Sequence, residues 1–217
     1  MKIFTLLISL FFISPSAVYA WGLPELPGIS AGGEADLSDL KSTQTELMNQ
    51  TNETMYAFTL ALYQFKKALL LNEDETKLEA ARKCLEEGTK LCITSDQVEA
   101  IKTQTEEITV KITDMVKKGE KLSAEATANF AKGLAPYAGG LFEGAKLGAA
   151  IAAFAPKVTE AVTANPLSAP SALSEAMNII DIVPGVLSTF SGANGGIYDF
   201  VTYSGLEIAP AKKYDIK

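Results

Sequence analysis

Residues 36–71 read DLSDLKSTQTELMNQTNETMYAFTLALYQFKKALLL, and this stretch decides the fold. Apolar and small side chains recur in it at alternating steps of three and four residues, and neither glycine nor proline interrupts them. That spacing is the period of an α-helix with one apolar face. It predicts a single helix that Asp36 caps and that ends near Leu71, spanning roughly 50 Å at the usual rise per residue.

Polar residues dilute the first half of this apolar face. Gln44, Thr51 and Thr54 occupy positions that continue, further along the chain, as Phe58 and Phe65. The dilution predicts either partial contact with solvent or packing against a polar partner in that half of the helix.

Start and stop signals after residue 71 predict two more helices. The acidic stretch at 72–75 suits a helix start, and Gly88 suits its end. Thr94 and Gln97 have the spacing of a capping box, which predicts a helix from there to Gly119.

The second half of the chain changes in character. Between 124 and 206 charged residues become rare, and alanine, glycine and serine dominate. Ser123 is expected to cap the first helix of this half, and the segment from Pro184 to Tyr203 is expected to form one helix that Gly205 ends. Because an interior proline removes a backbone hydrogen bond, helices here are expected to be divided by Pro136, Pro156, Pro166, Pro170 and Pro184.

The sequence therefore predicts an all-α fold. No segment of useful length alternates as a strand would, and no internal repeat is present. We expect a helical bundle with one long N-terminal amphipathic helix and a Gly/Ala-rich C-terminal helical half, forming a single domain over residues 36–206. Residues 21–35 are expected to be an irregular lead-in, and residues 207–217 a flexible tail.

The first twenty residues indicate where the protein works. Lys2 precedes an apolar run from Ile3 to Ile13, and small residues follow around Ala20. This is the pattern of a secretory signal peptide, with cleavage expected after Ala20 and a periplasmic or secreted mature protein. The alternative is an N-terminal membrane anchor, for which the apolar run is short.

Composition argues against most chemistry. The 217 residues include no histidine, which removes the commonest general base and metal ligand and excludes Ser-His-Asp and Cys-His catalysis. The net charge of −7 disfavours nucleic acid as a partner. Two carboxylates suffice for a hydrolase, but the spacing of the acidic residues picks out no such pair. We therefore expect no catalytic residue, cofactor or metal.

Cys84 and Cys92 are the only cysteines. In an oxidising compartment two cysteines at this spacing favour a disulfide, and Gly88 midway lets the chain turn back. Closing a loop of about nine residues would stabilise the fold by ~2.6 kcal/mol on the chain-entropy model. The alternative is a pair of buried free thiols.

One segment of the second half combines small and bulky apolar residues at helical spacing. Gly140, Gly144 and Gly148 fall on one helix face, and a bulkier ridge beside it is formed by Leu147, Ile151 and Phe154. Such a face lets another backbone approach closely. Three interpretations compete: a core helix of the bundle, a concealed segment that inserts into membranes on contact, and a true membrane span. Glu143 and Lys146 oppose the last, since each would cost ~2.5–3.5 kcal/mol near the bilayer centre.

These observations predict an exported, non-enzymatic helical bundle that acts by binding a protein or an apolar ligand. The alternative is a membrane-active protein or toxin component that inserts its Gly/Ala-rich segment. A long amphipathic helix followed by such a segment is similar in pattern to helical pore-forming toxins. Membrane lipid is the expected partner in that case, and the sequence does not specify an oligomeric state.

Overall fold

The long amphipathic helix forms the centre of the bundle. The structure is a computed structural model that describes residues 37–71, 75–88 and 90–206, without the side chains of Glu75 and Lys77. Helix α1 spans Leu37–Ala68 and contacts all five of the other helices found in these ranges. They are α2 (Glu75–Glu87), α3 (Ser95–Lys118), α4 (Ala124–Ala164), α5 (Ala169–Ala172) and α6 (Ser174–Ser204). The described residues include no strand, so the all-α prediction is confirmed.

Local sequence signals set several of the helix ends. At the start of α3 the backbone N–H of Thr94 donates to Gln97 Oε1 (2.8 Å), and the N–H of Gln97 donates back to Thr94 Oγ1 (3.4 Å), completing the predicted capping box. Ser123 Oγ accepts from the N–H of Ala126 at the start of α4. Gly119 ends α3 with a left-handed φ of 69°.

Helix α1 ends three residues before the predicted Leu71, and it ends in an unusual way. Leu70 has a left-handed φ of 54°, and the N–H of Leu71 donates to the carbonyl of Lys66 (3.0 Å). This is the Schellman closure that α3 makes with Gly119, but with a leucine where glycine is normal. A bulky residue in this region of φ is strained. Without the glycine, the sequence contains no signal for a left-handed residue at this helix end.

The predicted division of the second half by prolines is wrong at three of five sites. Pro136 and Pro156 lie inside the 41-residue α4, and Pro184 lies inside α6, which begins ten residues earlier than expected. Each of these three prolines removes one backbone hydrogen bond from its helix. The helices continue because the turns on both sides bury apolar side chains, such as Tyr137 after Pro136 and Phe154 before Pro156. The helices are divided at the other two sites: Pro166 lies between α4 and α5, and Pro170 lies in the first turn of α5.

The core consists of two clusters of buried side chains along α1. The first cluster is aromatic and includes Phe58, Phe65, Phe130, Phe190 and Phe200, each 0% exposed. Phe58 stacks on Phe190 with ring centroids 3.7 Å apart, and Phe65 packs on Phe130 at 4.5 Å. The second cluster joins the other end of α1 to α4 and α6 and includes Leu47, Leu147, Phe154 and Ile179.

Tyr137 places one polar group inside the first cluster. Its hydroxyl donates to the carbonyl of Phe190 at 2.7 Å, which ties α4 to α6. Burial raises the pKa of the Tyr137 phenol well above its usual range, because the charged form would lose its hydration. The side chain therefore stays a neutral hydrogen-bond donor.

The polar residues in the first half of α1 lie in two different environments. Thr51 and Thr54 are 0% and 2% exposed, so the prediction of partial contact with solvent is wrong for these two residues. Their hydroxyls also have no hydrogen-bond partner within the described ranges. Gln44 does meet a polar partner, because its Oε1 accepts from the N–H of Ala176 at 3.0 Å. That N–H lies in the first turn of α6, so Gln44 caps this helix from a distant part of the chain.

Some sequence predictions fall outside the described residues. They are the signal peptide at 1–20, the lead-in at 21–35, the Asp36 cap, residues 72–74 of the acidic helix start and the tail at 207–217. All of the described residues belong to one compact unit, Glu34–Lys217.

Candidate functional site

The small-residue face of α4 is an interior contact. An ideal Cβ built on Gly140 would lie 2.8 Å from Cε1 of Phe58, and one on Gly144 would lie 2.7 Å from Cδ2 of Leu187. Gly148 has more room, with Leu187 Cδ1 at 3.5 Å. The first two glycines therefore let α4 approach its neighbours more closely than a side chain would permit.

The bulkier ridge beside these glycines is covered as well. Leu147, Ile151 and Phe154 are 1%, 3% and 0% exposed and lie in the second cluster. Solvent reaches the opposite side of α4, where Lys146 Nζ pairs with Glu143 (3.2 Å) and lies 4.1 Å from the centre of the Phe142 ring. In the folded protein, the face from Gly140 to Phe154 is turned inward.

Gly133 belongs to the same contact and was missed. A Cβ on it would lie 2.7 Å from Cδ1 of Phe65 and 3.1 Å from the carbonyl oxygen of Ala61. Gly133 stands seven residues before Gly140, two helical turns along the same face, and that spacing could have revealed it.

A different helix has the composition of a membrane span. Within the described ranges, α6 is the one helix that is long and apolar enough to cross a membrane, by length and composition. Its most apolar stretch of 18 residues has a mean hydropathy of 1.2, and 33% of that stretch is buried in the fold. Its outward positions between Asp181 and Asp199 are small and uncharged, among them Gly185, Ser188 and Gly192. The candidate membrane-contact segment that the sequence predicts, Gly140 to Phe154, lies in α4 instead.

Cys84 and Cys92 form a disulfide that joins the end of α2 to the segment before α3. Asn52 of α1 holds that segment with two hydrogen bonds: its Nδ2 donates to the carbonyl of Lys90 (2.9 Å), and its Oδ1 accepts from the N–H of Cys92 (2.8 Å). Asn52 is 1% exposed, so both of these bonds are shielded from water. The sequence contained no signal for this partnership across forty residues.

A cleft of about 380 Å³ opens where α1 ends and α4 begins. Its lining combines a cation, an anion, an amide, a hydroxyl and apolar groups; the residues are Lys67, Leu70, Leu71, Ser123, Glu125, Ala126 and Asn129. The volume lies within the range of small-molecule sites. The strained Leu70, 91% exposed, forms part of the wall.

Asn129 is the most informative residue of the cleft. The residue is 9% exposed and lines the cleft, and its amide makes no hydrogen bond to any residue in the described part of the chain. Its amide atoms are not among the fully buried polar atoms that lack a partner, so they face the open cleft. Its polar atoms are therefore available to a molecule in the cleft.

A metal centre has no support among the described residues, since no three His, Cys, Asp or Glu side chains come together there. No family model matches this chain, and neither a curated protein nor a solved structure gives a significant match.

Proposed function

We propose that the protein is an exported, non-enzymatic binding protein that holds a small zwitterionic ligand in the cleft between α1 and α4. The apolar start of the chain and the disulfide support export. The absence of histidine from the sequence supports a binding role over catalysis. The observation that carries the proposal is the Asn129 amide, which lines the cleft and makes no hydrogen bond to any residue in the described part of the chain.

The lining suggests the chemistry of the ligand. The Lys67 ammonium attracts a carboxylate and the Glu125 carboxylate attracts an ammonium, while the Asn129 amide can serve either group. Leu70 and Leu71 offer contact to an aliphatic group. A free amino acid with an aliphatic side chain combines these features and suits the volume of the cleft.

Two ligand types left open by the sequence receive less support. An apolar molecule between the helices would need interior space, and at the level of the first cluster stacked aromatic rings occupy it. A protein partner would need an exposed apolar patch. The most exposed large apolar side chains, Leu70 after α1 and Leu167 after α4, lie at opposite ends of the bundle, because α4 runs antiparallel to α1.

We expect L-leucine to bind, with a rise in melting temperature of a few degrees at about 10 mM. N-acetyl-leucine, which lacks the ammonium, and leucinamide, which lacks the carboxylate, should each bind about tenfold more weakly or not at all. Isothermal titration calorimetry and thermal denaturation measure both effects. The absence of a response to leucine in both measurements would refute the proposal.

Variants separate binding from folding. Asn129→Leu should abolish the response to leucine, whereas Asn178→Leu, which changes an exposed asparagine of α6, should leave it unchanged. Leu70→Gly should raise stability by about 1–2 kcal/mol through relief of strain and still weaken binding. Circular dichroism checks that each variant keeps its helices.

The second candidate is membrane activity, which the apolar composition of α6 favours. Our proposal expects the protein to stay in the dense fractions when mixed with phosphatidylglycerol and phosphatidylethanolamine vesicles and centrifuged through a density gradient. Flotation that Ser188→Lys abolishes, and that Thr103→Lys on the exposed side of α3 does not, would instead support membrane contact through α6.

A further inference from the structure

Helix α2 lies outside both core clusters. None of its described side chains is buried, and its inner face consists of the half-buried Leu78, Ala81, Cys84 and Leu85. The clusters draw instead on α1, α3, α4 and α6. A helix of 13 residues is marginal in water by itself, so α2 depends on what holds it against α1.

The strongest attachment is at its C-terminal end. Cys84, in the last turn of α2, is bonded to Cys92, and the buried Asn52 fixes the backbone on both sides of Leu91 to α1. Ile93, the next residue, is 4% exposed and lies in the first cluster. The segment around Cys92 is therefore anchored without help from α2, and the disulfide transmits that anchorage to α2.

The ion pairs of Arg82 stabilise the helix but not its docking. Arg82 pairs with Glu79 at 2.6 Å and with Glu86 at 3.8 Å, and all three residues belong to α2. All three are exposed, so these contacts contribute little even to the helix. The covalent bond remains the dominant restraint at this end of α2.

We propose that α2 is a redox-controlled strap: it is docked on α1 while Cys84 and Cys92 are bonded, and it is released when they are reduced, with the bundle intact. An external dithiol supplies two electrons and two protons, the sulfur–sulfur bond breaks to give two thiols, and the dithiol closes to its own disulfide. Both cysteines are half-buried rather than enclosed, so a small dithiol can reach them. Release exposes the part of α1 that α2 covers.

Hydrogen exchange measured by mass spectrometry on the full chain tests this proposal directly. After dithiothreitol treatment, amides of 78–87 should exchange about tenfold faster or more, because the loop constraint is lost. Amides of α1 between Leu47 and Phe65, and those of α4, should keep their protection. Trypsin should also cut sooner at Arg82 and Lys83, with Lys111 in α3 as the internal reference.

A double variant supplies the matched control. Cys84→Ser with Cys92→Ser should reproduce the reduced pattern without reductant, and dithiothreitol should then change nothing further. Retained protection of α2 after complete reduction of the wild-type protein would overturn the proposal. So would a simultaneous loss of protection in α1 and α4, because the disulfide would then hold the whole fold together.

Discussion

Replacing Phe58 with alanine is expected to lower the free energy of unfolding by about 3–5 kcal/mol, the range for a large aromatic in a core. Phe58 is 0% exposed, stacks on Phe190 and meets the edge of Tyr137 with ring centroids 6.3 Å apart. The site cannot collapse easily, because the residue of α4 that faces the ring is Gly140, which has no side chain to move in. Urea denaturation followed by circular dichroism measures the loss.

An exposed phenylalanine provides the comparison. Phe142→Ala removes a ring that is 52% exposed on the outer side of α4, together with its contact to Lys146, and should change stability by no more than about 1 kcal/mol. A small loss for Phe58→Ala, comparable with that of Phe142→Ala, would contradict the packing described for the first cluster.

The facing glycine allows a rescue experiment. Gly140→Leu alone should destabilise the protein, because even the Cβ of the new side chain would lie too close to Phe58. In the Phe58→Ala background the same leucine enters the vacated space, so the double variant should be more stable than the sum of the two single effects predicts, by about 1 kcal/mol or more. Strict additivity would show that the two residues do not touch.

Alanine at Gly133 is expected to lower the free energy of unfolding by about 2 kcal/mol, although alanine favours helices. The added Cβ would meet the ring of Phe65, which is 0% exposed and cannot yield, and the backbone of Ala61. A loss of this size should lower the melting temperature by roughly 4–8 °C for a chain of this length.

Replacing glycine with alanine at other positions of these helices should raise the free energy of unfolding instead. Gly148→Ala places its Cβ at an ordinary contact distance, and Gly192→Ala places it in open space. In both variants the free energy of unfolding should rise by up to about 1 kcal/mol, because alanine favours the helix more than glycine does. If alanine at Gly133 stabilised the protein, as we expect it to do at Gly192, the close approach of α4 to α1 would be disproved.

Predictions from the sequence succeeded where the signal and its effect are a few residues apart. Thr94 and Gln97 complete a capping box within one turn, and Gly119 supplies the left-handed φ that ends α3. The apolar period of α1 also identified the helix at the centre of the fold. Each depends on backbone groups or side chains within a turn or two of the same helix.

The candidate site was less accessible to prediction. Asn129 and Lys67 come together only because α4 begins beside the end of α1, and their sequence separation conceals this. Asn52 was similarly inconspicuous, since a polar residue on the apolar face of a helix indicates nothing about a partner forty residues away. Leu70 was hidden for another reason: a leucine at a left-handed helix end runs against the local rule.

The sequence by itself determined that this chain is helical, which face of α1 is apolar and where the capped helices begin and end, because those properties depend on hydrogen bonds and periodicity within a few turns. Only the tertiary structure decided that α4 and α6 continue through their prolines, that Thr51 and Thr54 are buried, and that the glycine face of α4 meets α1 and α6. The physical reason is that burial between helices is worth several times the local cost of a proline or an unpaired hydroxyl. That gain depends on which surfaces meet, and only the packed bundle specifies this.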